Sequence, residues 1–265
     1  LLFGAVFAYA TFKFTGQDWR LCYQIGGVLG IVLLFMRISV SESGMFKQVR
    51  SAENVRRGNV LMFFTSGERF RKYLFAILIG LPTWFVIGIL VNYSNLFAKA
   101  LYGENSIDSG KAIMYAYIAI AFGDIIIGFV SQYLQSRKKA LYVFYALTIL
   151  FAILFFSSLN TNDTMMYVIC TGLGFSTGFW AIFVTIGAEQ FGTNLRATAA
   201  TTIPNMVRGS LPLLNILFKN VFQDQLHWNI VRSGIITGFI AIAVGLVAVW
   251  YTKETFHKDL NYVEM

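Results

Sequence analysis

The sequence predicts an all-α fold, a polytopic transmembrane helical bundle, and three observations carry that expectation. The 265 residues are 57% hydrophobic and only 13% charged, about half the charged share of ordinary soluble domains. Apolar residues gather into runs that mostly suit a membrane-crossing helix and do not alternate as barrel strands would. Basic residues collect in alternate short connections, so the net charge of +8 points to a membrane surface and not to nucleic acid.

A helix needs about 20 apolar residues to cross the hydrocarbon, at roughly 1.5 Å per residue. The first run, 1–14, is too short, and it opens "LLFGAVFAYATFKF" with neither an initiator Met nor a signal-peptide pattern. It reads as the remainder of a longer helix, with an N-terminal part of the chain expected before it. A second short run covers 19–36. The stretch 37–72 is polar and mixed in charge. It is the one candidate domain boundary and is expected to hold short amphipathic helices at the membrane surface. Six further runs follow: 73–97, 112–134, 140–156, 165–187, 197–222 and 234–251. Pro82 predicts a kink in the first of these, and Pro204 and Pro212 predict local breaks in the fifth. Gly172, Gly174 and Gly178 predict close helix packing in the fourth. Cys22 and Cys170 lie within apolar runs and read as small core residues, with no disulfide framework or zinc spacing.

The connections set the orientation. Stretch 37–72 holds eight Lys/Arg (Arg37, Lys47, Arg50, Arg56, Arg57, Arg69, Arg71 and Lys72). Later connections carry Lys99 and Lys111, then Arg137, Lys138 and Lys139, then none in 157–164, then Arg196, and finally Lys253 and Lys258 in the tail. The 37–72 loop and the C-terminus are therefore expected in the cytoplasm of a multi-pass protein of the cell (inner) membrane.

Several polar residues stand inside this apolar frame. Asp124 lies about 18 Å into its helix, near the bilayer centre, and Arg208 reaches a similar depth on a helix running the other way. A lone carboxylate at that depth costs on the order of 3 kcal/mol, so Asp124 is expected to be neutralised, as a proton-coupling group, or paired, with Arg208 as its partner. Thr201, Asn205, Arg208, Pro212, Asn215 and Lys219 recur every three or four residues, a polar stripe along one face of 197–222. Such a stripe faces neighbouring helices or a water-filled path. Trp84, Asn92 and Trp180 are further candidates for that path, and Asn92's neighbour Tyr93 reads as an interfacial anchor. Arg137, Glu189 and Arg196 end or start helices on the inner face and could form a charge cluster that locks one end of the bundle. His227 and His257 have no companions at metal or catalytic spacing, so neither an enzyme, nor a metal site, nor a cofactor is predicted.

Four motifs, in register over essentially the whole chain, resemble the major facilitator superfamily of transporters. "GFVSQYLQSRKKAL" (128–141) is similar to the G-x-L-S-D-R-x-G-R-K-K loop, "AEQFGTNLRATAA" (188–200) to E-x-F-P-T-x-x-R-A-T, and "KETFHKDLNYVE" (253–264) to the P-E-T-K-G tail of sugar and metabolite porters. "RISVSESGMF" (37–46) echoes the P-E-S element. Gln132 stands where the loop motif has Asp, and Gln135 near its Gly, which implies a weaker cytoplasmic charge network. The resemblance implies that 1–36 are the last two helices of an N-terminal half, the first truncated. It makes 37–72 the cytoplasmic inter-half loop, 73–251 a complete C-terminal six-helix half and 252–265 a cytoplasmic tail.

The expected function is a secondary active transporter moving a small polar solute by alternating access with proton coupling. The basic stripe residue suggests an organic or sugar acid, with neutral sugars and drug export left open. The other partners expected are the lipid bilayer and the missing N-terminal half. The alternative is a non-transporting membrane sensor or scaffold that keeps the fold, and the intramembrane charges Asp124 and Arg208 weigh against it.

Overall fold

The computed structural model describes residues 2–16, 18–38, 58–103, 107–157, 159, 161–258 and 262–263, and those residues form helices and turns without a strand. The main elements are α1 (Leu2–Phe14), α2 (Trp19–Ile38), α3 (Gly67–Val91), α4 (Ser109–Tyr133), α5 (Arg137–Phe156), α6 (Asp163–Glu189), a composite α7 and α8 (Ile230–Tyr251), with a short helix, Ser94–Tyr102, between α3 and α4. α7 joins Thr193–Gly209, Leu211–Asn215 and the π-helical turns Ile216–Gln225. Six of them, α2 to α6 and α8, are long and apolar enough to cross a membrane. α1 is shorter, and α7 carries the polar stripe.

Most of 37–72, including Lys47, Arg50, Arg56 and Arg57 and nearly all of the 37–46 motif, lies outside the described residues. Within the part described, Asn59 caps a 3₁₀ turn, Val60–Phe63, that buries Met62 and Phe63. α3 then starts at Gly67, six residues before the apolar run. Arg69, Arg71 and Lys72 therefore belong to a helix and not to a loop, and Lys72 pairs with Glu68 one turn back at 3.0 Å.

The kink expected at Pro82 is a break at Gly80, with Pro82 in the first turn of the next segment. The hydroxyl of Tyr145 donates to the Ile79 carbonyl at 2.6 Å, which satisfies a backbone group at the break. Two departures have no signal in the apolar pattern. α3 widens into buried π-helical turns at Val86–Val91, and α6 is broken between Ser176 and Trp180. At the second break Ser176 and Thr177 turn their hydroxyls back onto the Leu173 carbonyl, at 2.9 and 3.0 Å.

α4 and α6 make the closest crossing. A side chain at Gly174 would meet the backbone of Ala116, and one at Gly178 would stand 2.6 Å from Gly123 Cα. Lipid supplies no hydrophobic drive between helices, so such backbone approach, rich in dispersion contacts, is what holds the pair. At one end of the bundle Asp108 caps α4, accepting from Gly110 and Lys111 N–H at 2.9 and 3.2 Å. The same carboxylate ties α1 to α4: Tyr9 donates to it at 3.0 Å and Lys13 pairs with it at 3.3 Å.

Candidate functional site

Four elements converge on a small recess part-way along α4. Thr83, Trp84 and Ile87 of α3, Tyr117 and Ile120 of α4, Trp180 of α6 and Arg208 of α7 enclose a cavity of about 70 Å³. Each wall follows from a local feature already described. The break at Gly80 and Pro82 re-aims α3, the break before Trp180 begins a new helical segment there, and Pro204 lies one turn before Arg208. The rings of Trp84 and Trp180 meet edge to face at 6.3 Å, and the Arg208 guanidinium lies over the Trp180 ring at 5.4 Å. Asn205, one turn back, accepts from Arg208 Nη1 at 2.8 Å and orients it.

Five of the lining residues, Thr83, Trp84, Tyr117, Trp180 and Arg208, carry donors, and the other two, Ile87 and Ile120, are apolar. Trp84 Nε1 and Thr83 Oγ1 are buried, and neither has a hydrogen-bond partner among the described residues. An unmade hydrogen bond of this kind costs about 1–3 kcal/mol, so the pair is poised for an acceptor. With one fixed cation beside them, the complementary ligand is an oxygen-rich anion.

Asp124 and Arg208 do not form an ion pair among the described residues. Asp124 instead accepts from the Ala181 N–H at 3.0 Å, at the start of the second α6 segment. That bond satisfies a helix-terminal donor with a carboxylate, a favourable match to the helix dipole. The two residues still share a neighbour: Asp124 holds the backbone at Ala181, beside the Trp180 ring on which Arg208 rests.

The remaining stripe residues separate. Thr201, Asn205, Arg208, Pro212 and Lys219 are exposed while Ile203, Val207, Leu214 and Phe218 are buried, so the polar face of α7 points away from the other helices of this chain. Asn215 lies outside the recess with Oδ1 buried and without a partner among the described residues, and Asn92 is exposed just beyond α3. Thr83 and Tyr117 complete the recess, and sequence reasoning had not singled them out for it. A Thr beside a helix-breaking Pro was the one available signal.

At the opposite end of α4, Arg137 Nη2 and Glu189 Oε1 form an ion pair of 2.7 Å with both side chains largely buried. Arg196 donates to the Phe191 carbonyl across the α6–α7 turn at 3.4 Å. Gln135, where the similar loop has glycine, takes φ 46°, the left-handed conformation that glycine adopts at least cost. The residue that organises this end is Glu254. Its carboxylate accepts from the Ser136 hydroxyl and from the N–H groups of Arg137 (3.1 Å) and Lys138 (3.2 Å), capping α5 from the tail. Gln190 Nε2 donates to the Lys253 carbonyl at 2.8 Å, and Lys258 reaches the Glu189 carbonyl at 3.0 Å, so the tail straps α5, α6 and α8 together.

Burial pushes the Glu254 carboxyl up, but the Ser136 hydroxyl and the surrounding N–H groups outweigh it and hold it below its ordinary value. A depressed carboxylate contributes stability that is present above its unfolded pKa and lost as pH falls through its folded one. Glu254→Ala is therefore expected to lower stability at pH 7 by roughly 1 kcal/mol, the usual worth of a cap. The difference should shrink by about pH 3, well below the ordinary glutamate range, as the depressed wild-type carboxylate in turn approaches protonation. Thermal melts of both proteins in detergent at the two pH values test this. Equal melting at pH 7 would remove the tail from the account.

Comparison with known proteins supplies the context for this geometry. Residues 1–212, four-fifths of the chain, match the family model described as Major Facilitator Superfamily. The chain is 26% identical over 261 residues to the inner membrane metabolite transport protein YhjE of Escherichia coli strain K12. That alignment covers 94% of this chain and 57% of the relative, so the chain spans little more than half the relative's length. A broken, all-helical membrane bundle that matches the family model over most of its length has one reading: the chain belongs to the major facilitator superfamily.

Proposed function

We propose that the protein is a secondary active transporter whose substrate is a small organic acid, bound at the Arg208 recess and moved by alternating access. One observation carries the proposal: a guanidinium fixed by Asn205 and Trp180 shares a recess with two buried, unpartnered polar atoms, Trp84 Nε1 and Thr83 Oγ1. About 70 Å³ holds water and little more, which suits one wall of a larger site. The exposed polar face of α7 supports a second wall built by further helices, those of an N-terminal half of the same polypeptide. In this reading 73–251 form the C-terminal half. The Arg137–Glu189 pair, with Arg196 beside it, is the cytoplasmic lock that opens in each cycle. The basic connections support a cytoplasmic location for that end and for the tail. A cysteine at Tyr102 should react with an impermeant reagent in intact cells and one at Lys253 should not. The reverse pattern would invert the assignment.

Asp124 is the coupling group in this proposal. It is the one carboxylate at mid-depth among the described residues, and it touches the segment that carries Trp180. The full-length protein in liposomes, given a proton gradient, should accumulate a small carboxylate above its equilibrium level. Asp124→Asn keeps an oxygen for the Ala181 N–H, so it removes the proton without removing the cap. Accumulation should be lost while exchange of solute down its own gradient persists. Wild-type accumulation by the Asn variant across a range of pH would make Asp124 a structural cap and move the coupling elsewhere.

A further inference from the structure

A second, larger cavity shares no lining residue with the recess. It measures about 570 Å³ and lies on the outer flank between α5 and α8, with Phe85 of α3 among the residues lining it. α5 contributes Ile149, Ile153 and Phe156, and α8 contributes Ile235, Phe239 and Ile242, with Phe239 and Ile153 exposed. Ser157, at the end of α5, is the only residue with a polar side chain in the lining, and its hydroxyl donates to the Leu154 carbonyl. A polar solute would find no partner in such a groove, and a peptide segment would leave its backbone unsatisfied there.

Length and charge select the occupant. Along α8 the groove runs from Ile235 to Leu246, about 16 Å at 1.5 Å per residue, roughly half the hydrocarbon thickness and so the depth of one leaflet. Arg232, Ile235, Phe239, Ile242 and Leu246 follow at spacings of three, four, three and four, so a cation stands on the groove's own face of α8, one turn beyond its end. The Arg232 guanidinium is exposed and lies over the Trp228 ring at 4.2 Å, and no described carboxylate pairs with it. An Arg–Trp pair at the end of an apolar span is the chemistry of the headgroup layer. The α8 N-terminus adds a partial positive charge at the same level.

We propose that this groove is a binding site for an anionic phospholipid of the leaflet on the α8 N-terminal side. One acyl chain fills the space between α5 and α8, and the phosphate pairs with Arg232. The site rests on membrane residence alone and is independent of any transport reading.

The test is native mass spectrometry of the full-length protein in mild detergent, titrated with phosphatidylglycerol or phosphatidylcholine. The wild type should retain one phosphatidylglycerol in preference to phosphatidylcholine by about fivefold, the weight of one cation at an anionic surface. Arg232→Gln, on an exposed side chain, should bind both lipids equally. Ala243→Phe, which fills the groove, should retain neither, with an unchanged melting temperature as the control for folding. If Ala243→Phe lowers that temperature, the Arg232→Gln comparison decides alone. An undiminished anionic preference in Arg232→Gln overturns the proposal. So does a wild type that retains no lipid, or one that is a dimer covering the groove.

Discussion

If the proposed organic-acid site is correct, Arg208→Gln lowers the affinity of the full-length protein for that acid by about a hundredfold. Charge-assisted hydrogen bonds contribute about 1.5–3 kcal/mol, and tenfold corresponds to about 1.4 kcal/mol, so loss of one guanidinium anchor reaches that range. The fold should be spared. Arg208 is exposed in this chain and, among the described residues, holds Asn205 and the Trp180 face, interactions worth about 1 kcal/mol together. Arg208→Lys separates charge from geometry. It keeps the cation but loses the planar fork and the stacked ring contact, so an intermediate loss is expected. Counterflow in liposomes with a panel of small carboxylates and their neutral amides is the measurement. Equal affinity of wild type and Arg208→Gln for every acid in the panel would sink the anionic-substrate proposal. A loss for acids and neutral analogues alike would mean that Arg208 shapes the recess without reading charge.

The second large effect lies in the fold itself. Gly178→Leu should prevent accumulation of folded protein. A Cβ at this position stands 2.6 Å from Gly123 Cα, 2.7 Å from Gly123 C and 2.8 Å from Asp124 N, all of them backbone atoms that no rotamer change can move. Ordinary overpacking costs about 1–3 kcal/mol because side chains yield. Here α4 and α6 must part, which also breaks the Asp124–Ala181 bond and displaces Trp180 from the recess. Gly128→Leu on the same α4 is the matched control. Among the described residues nothing lies within 4 Å of its Cβ, so the added side chain meets no backbone. Size-exclusion profiles of the two variants after mild solubilisation should show aggregate for Gly178→Leu and a wild-type peak for Gly128→Leu. A normal peak for Gly178→Leu would mean that the α4–α6 crossing is looser than these distances imply.

These two glycines show where sequence reasoning stops. Clustering with Gly172 and Gly174 marked Gly178 for close packing, but only the position of the facing backbone shows what it meets and that Gly128 is open among the described residues. The same holds for Asp124. Its depth was legible from residue counting, because helical rise is fixed. Its partner was not, because partnership depends on the azimuth of two helices. The pair with Arg208, one of the two alternatives that depth allowed, does not form among the described residues, and Asp124 instead bonds Ala181, made available when α6 broke before Trp180. That break has no helix-breaking residue other than Gly178, so nothing in the apolar pattern announced it. Glu254 stood in a recognised tail motif, yet its reach to the first turn of α5 spans more than a hundred residues of sequence.

Readable in the residues alone are the properties that hydrocarbon imposes one segment at a time. Long apolar runs became helices because lipid leaves the backbone no other partner, and the polar stripe on α7 was readable because 3.6 residues per turn is universal. The tertiary structure alone decided which side chains share a space. Trp84, Trp180, Tyr117 and Arg208 come from four helices and meet because breaks at Gly80 and before Trp180 re-aim two of them. Such a meeting is fixed by helix rotation and crossing, quantities set by backbone-to-backbone packing such as Gly178 on Gly123, and no single segment contains them.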